Sequence, residues 1–296
     1  MIVPSRGRPK LRERAIRSIL GQDYDGYVEC LVVHDGGDRW LPSIEPTPTR
    51  MLRAIDNTRK PGLPAARNAG ALATACELVA FCDDDDEWLP DKLRHQVSVI
   101  TGGEDVSAVC CGIEVIYRER TVPRIPQEKV SFDDLLVSRI AELHSSTILA
   151  RRDDYFGRIG PFDEDIPGAY GEDYEWLLRA ARAAPVAVVP KPLARIYWHD
   201  SSFFDGRWTT MIAGLRYVLE KHPDFRLKPK GLARIHGQLA LASAAAGQHA
   251  DSRRWIRETL TLDWRQPRGY LAVLATIGVL RPERLLRLLH RFGRGI

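Results

Sequence analysis

The stretch Leu78-Val79-Ala80-Phe81-Cys82-Asp83-Asp84-Asp85-Asp86-Glu87-Trp88 decides the fold class of this 296-residue chain. Residues 78–82 are all apolar, which is typical of a strand buried on both faces. Four aspartates follow at once, so the strand ends where carboxylates can reach water or a cation. Doubly buried strands belong in parallel sheets that are covered by helices on both faces.

Helix and strand patterns alternate on both sides of this strand, through the first 200 residues. The alternation predicts an α/β domain over residues 1–203, with a Rossmann-like, mostly parallel sheet flanked by helices. The predicted strands are 2–3, 30–33, 51–55, 78–82, 106–117, 147–150 and 186–189, and the predicted helices are 10–21, 64–75, 91–100 and 171–183.

Strand patterns stop at about residue 204, and residues 204–296 form a predicted basic helical region. They contain 17 Lys and Arg against 7 Asp and Glu, whereas the residues before Asp205 contain 26 against 32. The predicted helices are 209–221, 231–246, 251–262, 269–279 and 282–292. The last of these contains an amphipathic basic segment, residues 285–291, which either lies on an anionic membrane surface or packs on the first domain. Recognised nucleic-acid-binding motifs are absent, so a nucleic-acid partner is not expected.

Composition excludes several classes of protein. Apolar runs are shorter than the roughly 18–20 residues that a membrane span needs, and the N-terminus lacks the basic start and apolar core of a secretory signal. The five cysteines lack the paired spacing of a zinc site, which predicts reduced, buried thiols. We therefore expect a cytoplasmic protein that is either soluble or peripheral at the inner face of a membrane.

Polar residues follow three of the predicted strands, 2–3, 30–33 and 78–82. Residues 5–8 are Ser-Arg-Gly-Arg, residues 34–38 are His-Asp-Gly-Gly-Asp, and the acidic run begins at Asp83. Ligands bind beyond the carboxyl ends of strands in an open parallel sheet. Arginines, glycines and carboxylates should therefore converge on one edge of this sheet.

Two interpretations fit the acidic run. It is either a solvated turn that caps the next helix, or a site for Mg²⁺ or Mn²⁺, which prefer oxygen ligands. The position directly after a buried strand favours the cation. A calcium loop fits poorly because its sixth position lacks glycine, and the absence of a Gly-x-Gly-x-x-Gly fingerprint and of a Walker loop argues against a dinucleotide dehydrogenase and a P-loop kinase.

Five segments in register carry a family resemblance. They are Pro4-Ser5-Arg6-Gly7-Arg8-Pro9, Val32-Val33-His34-Asp35-Gly36-Gly37, Gly62-Leu63-Pro64-Ala65-Ala66-Arg67-Asn68-Ala69-Gly70, Phe81-Cys82-Asp83-Asp84-Asp85-Asp86-Glu87-Trp88-Leu89-Pro90 and Gly171-Glu172-Asp173-Tyr174. Over about residues 1–200 the chain resembles the family 2 glycosyltransferases of the GT-A fold. The resemblance implies a nucleotide-diphospho-sugar donor, a hydroxyl acceptor (a saccharide, a lipid-linked glycan or a metabolite) and an inverting transfer assisted by Mn²⁺ or Mg²⁺.

The resemblance also implies roles for individual residues. Pro4, Arg6 and Asp35 would hold the base and ribose of the donor, and Arg67 and Asn68 would lie beside its base and diphosphate. Asp83, Asp84 and Asp85 match the Asp-x-Asp motif, in which Asp83 and Asp84 contact the donor, and Asp85 with Asp83 meets the metal. Asp173, beside Glu172, matches the general base that deprotonates the acceptor.

Some residues keep two interpretations. Glu172 and Asp173 also suit a helix start, where acids complement the helix dipole. His199 is either a metal or diphosphate ligand or a structural residue, and Arg195 is a weaker diphosphate candidate. Trp176, Tyr197 and Trp198 form either an acceptor platform or part of the core.

Two departures from the family pattern stand out. The first strand is short, which predicts either a short strand at the edge of the sheet or a native start upstream of Met1. His34 occupies a position where the family commonly has a second acid, which bears on recognition of the base or ribose.

Two rival functions are weighed against sugar transfer. One is a nucleotide-sugar-binding protein that no longer transfers, against which the intact Asp85 and Asp173 argue. The other is a nucleotidyltransferase, which would need a Gly-rich first loop that carries Lys.

Overall fold

The computed structural model describes residues 1–198, 206–280 and 282, and the chain divides into two compact units. Unit 1 comprises Met1–Phe132, Ile140–Glu164 and Glu172–Tyr197, and unit 2 comprises Asp133–Arg139, Asp165–Gly171 and Trp198–Ile296. The domain boundary between residues 203 and 204 stays a prediction. His199 and the amphipathic segment 285–291 lie outside the described residues.

Unit 1 begins with a three-stranded parallel sheet in the order β1-β2-β3. The elements are β1 (Ile2–Ser5), α1 (Pro9–Leu20), β2 (Val28–His34), β3 (Arg50–Asp56) and α2 (Leu63–Ala73). Every residue of β2 is buried, as the apolar run at residues 30–33 predicts. Helix α1 starts with Pro9 in its first turn and buries Ala15, Ile16 and Ile19, which lie on one face at helical spacing.

Strand β1 is short, and it stands first in the order β1-β2-β3. It pairs with β2 on one side, and Ile2 forms a parallel bridge with Phe81 on the other. Four residues suffice there because Ile2 and Val3 are fully buried by neighbours on both sides.

A second sheet completes unit 1, in the order β4-β9-β6-β10-β5, with β7 paired to β6 and β8 to β10. Its longest ladder, β6 with β10, is parallel, and the shorter strands are added antiparallel. The elements are β4 (Leu78–Ala80), β5 (Glu87–Trp88), α3 (Lys92–Thr101), β6 (Ala108–Tyr117), β7 (Arg120–Arg124), β8 (Lys129–Val130), α4 (Phe132–Val137, whose first residue alone is in unit 1), β9 (Leu149–Arg151), α5 (Arg152–Phe156), α6 (Glu172–Ala183) and β10 (Val186–Tyr197).

This arrangement confirms the predicted α/β class, with a sheet flanked by helices. Strands β5, β7 and β8 were not predicted, because they are short and mix charged with apolar residues. Strand β10 continues to Tyr197, well beyond the predicted end at Val189, because its second half pairs in register with β6 after an irregularity near Pro192.

The parallel start of the sheet brings three chain segments to one edge. The backbone N–H of Cys82 donates to the carbonyl of Ile2 at 3.0 Å, and that of Asp35 donates to the carbonyl of Ser5 at 3.0 Å. The ends of β1 and β2 and the start of the acidic run therefore emerge side by side.

Unit 2 contains four long helices among its described residues: α7 (Trp208–Lys221), α8 (Pro229–Ala245), α9 (His249–Leu262) and α10 (Pro267–Thr276). They confirm four of the predicted helices, and the fifth, 282–292, lies almost entirely outside the described residues. Gly247 turns α8 into α9 with a φ of 74°, a conformation that favours glycine. Within the described ranges, no helix combines the length and apolarity that crossing a bilayer requires.

Gly70 in α2 allows the helix to approach β1 and β2, and we predict that Gly70→Ala destabilises the protein. An added Cβ would lie 2.5 Å from Cγ2 of Ile2 and 3.0 Å from Cγ2 of Val33. Overpacking of this kind costs about 1–3 kcal/mol, although Gly→Ala inside an exposed helix usually stabilises by up to about 1 kcal/mol. Urea unfolding measures the difference.

Leu72→Ala serves as the control in the same helix, because that side chain is half exposed. We expect its free energy of unfolding to change by less than about 0.5 kcal/mol. A Gly70→Ala protein as stable as the wild type would show that α2 does not press on the two strands.

Candidate active site

The four consecutive aspartates leave the sheet in a tight turn, and their carboxylates enter different environments. The backbone N–H of Asp86 donates to the carbonyl of Asp83 at 3.1 Å and closes the turn. Asp84 and Asp86 are buried, whereas Asp83 and Asp85 keep 19% and 21% of their side-chain surface exposed. The run is therefore not a uniformly solvated turn.

Asp83 is bonded to Arg67, the guanidinium of which is fully buried in α2. Arg67 Nη2 donates to Asp83 Oδ1 at 2.6 Å, and Ser145 Oγ donates to Asp83 Oδ2 at 3.1 Å. Burial alone would raise the pKa of Asp83, but Arg67 and then His144 outweigh it and lower the pKa below its usual value. Asp83 is thus held as a carboxylate.

Arg67 also reaches the start of α6, where its Nη1 donates to Glu172 Oε1 at 2.7 Å. Burial and the adjacent Asp173 raise the pKa of Glu172 to about 7, against the opposing effect of Arg67. Asp173 is buried as well, and its Oδ1 accepts the backbone N–H of Tyr174 at 2.7 Å. One arginine therefore joins the acidic run to Glu172, the neighbour of the predicted general base.

Asp84 is held from the first loop of the chain. Ser5 Oγ donates to Asp84 Oδ2 at 2.7 Å, Arg8 donates to Asp84 Oδ1, and Arg12 Nη1 donates to Ser5 Oγ at 3.1 Å. Burial raises the pKa of Asp84, and Arg8 and Ser5 counteract only part of that effect. Asp84 therefore joins this loop to the run.

Asp85 lies on the accessible side of the turn. Its carboxylate pairs with Arg8, the side chain of which is 47% exposed, and its carbonyl accepts a hydrogen bond from Arg14. Asp85 thus has a half-exposed partner, which also holds the buried Asp84.

Asp86 points into the protein beside His144. Its Oδ2 accepts from Ser146 Oγ and lies 3.5 Å from His144 Nδ1, and its Oδ1 accepts the backbone N–H of Tyr197 at 3.3 Å. Burial, Asp85 and Asp83 raise the pKa of Asp86 well above its usual value.

Asp83, Asp86 and His144 form a group able to hold a metal, because one ligand atom from each lies within 4.8 Å of the others. Two carboxylates and an imidazole suit a first-row divalent cation. However, Nδ1 of His144 already accepts the backbone N–H of Ser146 at 3.3 Å. Of the predicted metal ligands, the structure thus brings Asp83 into this group, orients Asp85 toward Arg8 and leaves His199 undescribed.

The predicted base and ribose residues lie at the ends of β1 and β2. Pro4 is the register partner of Val33, and Arg6 is exposed just beyond β1. Asp35 is half-buried, and its two oxygens accept hydrogen bonds from Asn57 Nδ2 at 2.7 Å and from the Gly62 N–H at 3.0 Å. Its carboxylate is therefore held rigidly at the edge of the sheet.

Asn68 holds a loop instead of facing the edge of the sheet. Its Nδ2 donates to the Phe162 carbonyl at 2.9 Å and to Glu164 Oε1 at 2.7 Å, and its Oδ1 accepts from the Phe162 N–H and from the Tyr155 hydroxyl. With all these bonds inside the protein and 2% of its surface exposed, Asn68 acts on a ligand only through the loop.

The remaining candidates lie along β10 and α6. Arg195 pairs with Glu114 at 2.9 Å and with Glu87 at 3.5 Å, so its charge is already balanced by acids. Trp176 is fully buried and donates to the Gly160 carbonyl at 2.9 Å, which places it in the core. Tyr197 is half-buried, with its hydroxyl on Glu87 and its ring under the guanidinium of Arg14.

Sequence reasoning missed several residues that shape this site. Arg8 lies in the segment of residues 4–9, and Arg12 lies just after it. The sequence near a helix start does not predict which carboxylate an arginine will contact. The triplet His144-Ser145-Ser146 could have been found from the sequence. It stands directly before an apolar strand, whereas the other polar segments of the site directly follow their strands.

Comparison with known proteins gives matches over the same residues. The sequence model described as glycosyl transferase family 2 matches residues 1–156. The uncharacterized glycosyltransferase YwdF of Bacillus subtilis is 26% identical over 55% of this chain and 60% of its own length. The putative colanic acid biosynthesis glycosyl transferase WcaA of Escherichia coli is 30% identical over 44% of this chain and 49% of its own length. The chain thus spans about half to three-fifths of these relatives.

A solved structure shares the fold. The mannosyltransferase PcManGT of Pyrobaculum calidifontis, in complex with GDP-Man and Mn²⁺, superposes with a TM-score of 0.57 at 18% identity, over 98% of this chain and 86% of that one. The predicted fold, a GT-A sheet with a helical C-terminal region, is confirmed.

The pKa of Glu172 predicts a pH-dependent difference in stability between the wild type and Glu172→Gln. The folded-state pKa of about 7 lies above the ordinary value of 4.5, so the stability that the protonated carboxyl contributes is complete below pH 4.5 and is lost as pH rises through 7. We expect the wild type to lose at most about 3 kcal/mol relative to Glu172→Gln over this range. Urea unfolding at several pH values measures it.

Glu104→Gln is the control for the loss of a glutamate, because Glu104 is 65% exposed and pairs only across the surface with Lys129. If the free energies of unfolding of the wild type and of Glu172→Gln differ by the same amount at every pH from 4.5 to 8, the raised pKa is contradicted.

Proposed function

The chain belongs to glycosyl transferase family 2, and we propose that it transfers a sugar from a nucleoside-diphosphate donor to a hydroxyl acceptor with inversion at the anomeric carbon. The observation that carries this proposal is Arg67, which is bonded at once to Asp83 and to Glu172. One buried cation thereby links the acidic run, where the leaving group would be stabilised, to the start of α6, where the acceptor proton would be transferred.

The donor would bind along the edge where β1 and β2 end. Asp35 would accept a hydrogen bond from the base, with its orientation already set by Asn57 and Gly62. Pro4 and Arg6 would flank the base and ribose. Arg8, exposed beside the run, supplies positive charge that can be redirected to a diphosphate.

A divalent cation, Mn²⁺ or Mg²⁺, would neutralise the charge that grows on the diphosphate as the glycosidic bond breaks. Side chains at the run fit such a cation, since Asp83 is held as a carboxylate and Asp85 is the most exposed of the four acids. We favour Asp83 and Asp85 as its ligands over Asp86 and His144, because Asp83 and Asp85 keep 19% and 21% of their side-chain surface exposed. Asp86 is buried, and Nδ1 of His144 accepts the backbone N–H of Ser146. His199 stays a predicted ligand outside the described residues.

Asp173 would act as the general base. The acceptor oxygen attacks the anomeric carbon, its proton passes to Asp173, and the nucleoside diphosphate leaves from the opposite face of the sugar. Glu172, with its pKa near 7, can stay protonated beside Asp173, so that one negative charge rather than two faces the acceptor. Arg67 holds Glu172 at the start of α6.

The acceptor is proposed only as a class. WcaA carries the name of a polysaccharide-building enzyme, which supports a saccharide or lipid-linked glycan. We also propose that the basic segment 285–291 contributes to contact with the cytoplasmic face of a membrane. The rival is a binding protein without turnover, and it differs from the enzyme in one measurable way, the production of nucleoside diphosphate.

We predict that Asp173→Asn lowers turnover by a factor of about 10²–10⁴, because the acceptor loses its base. Nucleoside-diphosphate release is measured with Mn²⁺ and a panel of nucleotide sugars and acceptors, and donor affinity is measured by calorimetry. Donor affinity should stay within a factor of about two, since Asp173 acts on the acceptor.

Asp105→Asn is the matched control, because Asp105 is exposed and pairs with Arg158 on the surface. Its activity should equal that of the wild type. If the wild type binds a donor tightly but shows neither transfer to any acceptor nor hydrolysis, the chain is a nucleotide-sugar-binding protein and the proposed enzymatic function is wrong.

A second pair of variants tests the cation ligands. We predict that Asp85→Asn raises the Mn²⁺ concentration for half-maximal activity by about tenfold or more, as expected when a carboxylate ligand is lost. His144→Gln should leave that concentration unchanged. The reverse result, with the metal requirement shifted only in His144→Gln, would move the cation to the group of Asp83, Asp86 and His144.

A further inference from the structure

Helix α10 and the residues after it expose apolar side chains on the outer surface of unit 2. The inner side of α10 packs through Ala272 and Ala275 against Ala240 and Leu241 of α8. On the outer side, large apolar residues are exposed to between 40% and 72% of their surface. They are Tyr270 at 49%, Leu274 at 40%, Ile277 at 65% and Val279 at 72%, and Trp264, just before the helix, is 65% exposed.

Three of these side chains form one stripe. Tyr270, Leu274 and Ile277 follow one another at spacings of four and three, so they lie on the same helix face. The Tyr270 hydroxyl donates to the Trp264 carbonyl at 2.7 Å, which holds the loop before the helix against this stripe. We call these five residues, Trp264, Tyr270, Leu274, Ile277 and Val279, the α10 face.

The α10 face is unusual for a helix on a protein surface. Such a helix normally carries polar or charged residues on its outer side, and a helix that is apolar all round is covered by something. Residues 269–280 contain no charged side chain at all. The α10 face is therefore more apolar than an ordinary solvent-exposed helix surface.

Positive charge flanks this uncharged stretch along the sequence. Residues 229–280 contain seven Lys and Arg against three Asp and Glu, and residues 281–296 contain five Arg and one Glu. Arg265 is exposed, and its guanidinium lies 4.9 Å from the ring centre of Trp264. Aromatic and aliphatic residues bordered by cations suit the boundary between lipid headgroups and acyl chains.

We propose that the α10 face docks on an anionic membrane surface. Two copies of this positively charged region would repel each other, whereas anionic lipids attract it by about 1 kcal/mol for each nearby Lys or Arg. Five side chains also make a small interface, compared with the about 800 Å² per partner of a stable protein complex. This inference does not depend on sugar transfer, and it adds a second contact to the membrane contact proposed above for segment 285–291.

Sedimentation of the full-length protein with vesicles tests the proposal. Mixed phosphatidylglycerol–phosphatidylcholine vesicles and pure phosphatidylcholine vesicles are compared for the wild type and the double variant Leu274→Gln/Ile277→Gln. We expect the wild type to bind the anionic vesicles, and the double variant to bind them about tenfold more weakly, because two apolar side chains no longer enter the lipid. High salt should weaken wild-type binding.

Leu227→Gln is the matched control, because Leu227 is 75% exposed in unit 2 outside the α10 face. It should bind as the wild type does, and thermal melting checks that all variants fold. Equal vesicle binding by the double variant and the wild type overturns the proposal, as does equal binding to both kinds of vesicle. A wild type that ignores vesicles but forms a dimer that the double variant abolishes overturns it in favour of a second copy of the chain.

Discussion

The site depends on the buried guanidinium of Arg67, which bonds Asp83 on one side and Glu172 on the other. A fully buried cation is costly unless its partners are close and well oriented, and removing one partner of a buried pair typically costs about 3–5 kcal/mol. Helix α2, the acidic run and the start of α6 are therefore obliged to meet. Arg67 holds Asp83 as a carboxylate, whereas burial and Asp173 raise the pKa of Glu172 against the opposing effect of Arg67.

The other acids of the run are sorted by the same constraint. Once Asp83 faces Arg67, the turn buries Asp84 against Ser5 and Asp86 against Ser146, and it leaves Asp85 toward solvent with Arg8. Buried acids with protein partners are poor candidates for binding a ligand that associates and dissociates in each reaction cycle. Asp85 is a better candidate for that purpose, because 21% of its side-chain surface is already exposed.

The two units carry different kinds of surface chemistry. Unit 1 concentrates arginines and carboxylates where its parallel strands end. Unit 2 combines basic residues with an exposed apolar helix face, and its described helices pack through small residues such as Ala272 and Ala275. Small residues on the inner side of α10 allow close packing, so the large residues of the same helix are free to lie on the outer side.

The sequence by itself determined the class of fold, most of the helices and strands, and the segments that meet at the sheet edge. These features are local, since an apolar run such as residues 78–82 and the glycines and acids after it report their own burial. Only the tertiary structure decided the partners: that Arg67 joins Asp83 to Glu172, that Asn68 holds the loop of Phe162, and that His144 lies beside Asp86. These pairs are separated by 16 to 105 residues along the chain. Spacing within a motif cannot predict such contacts, because they depend on how helices pack on the sheet.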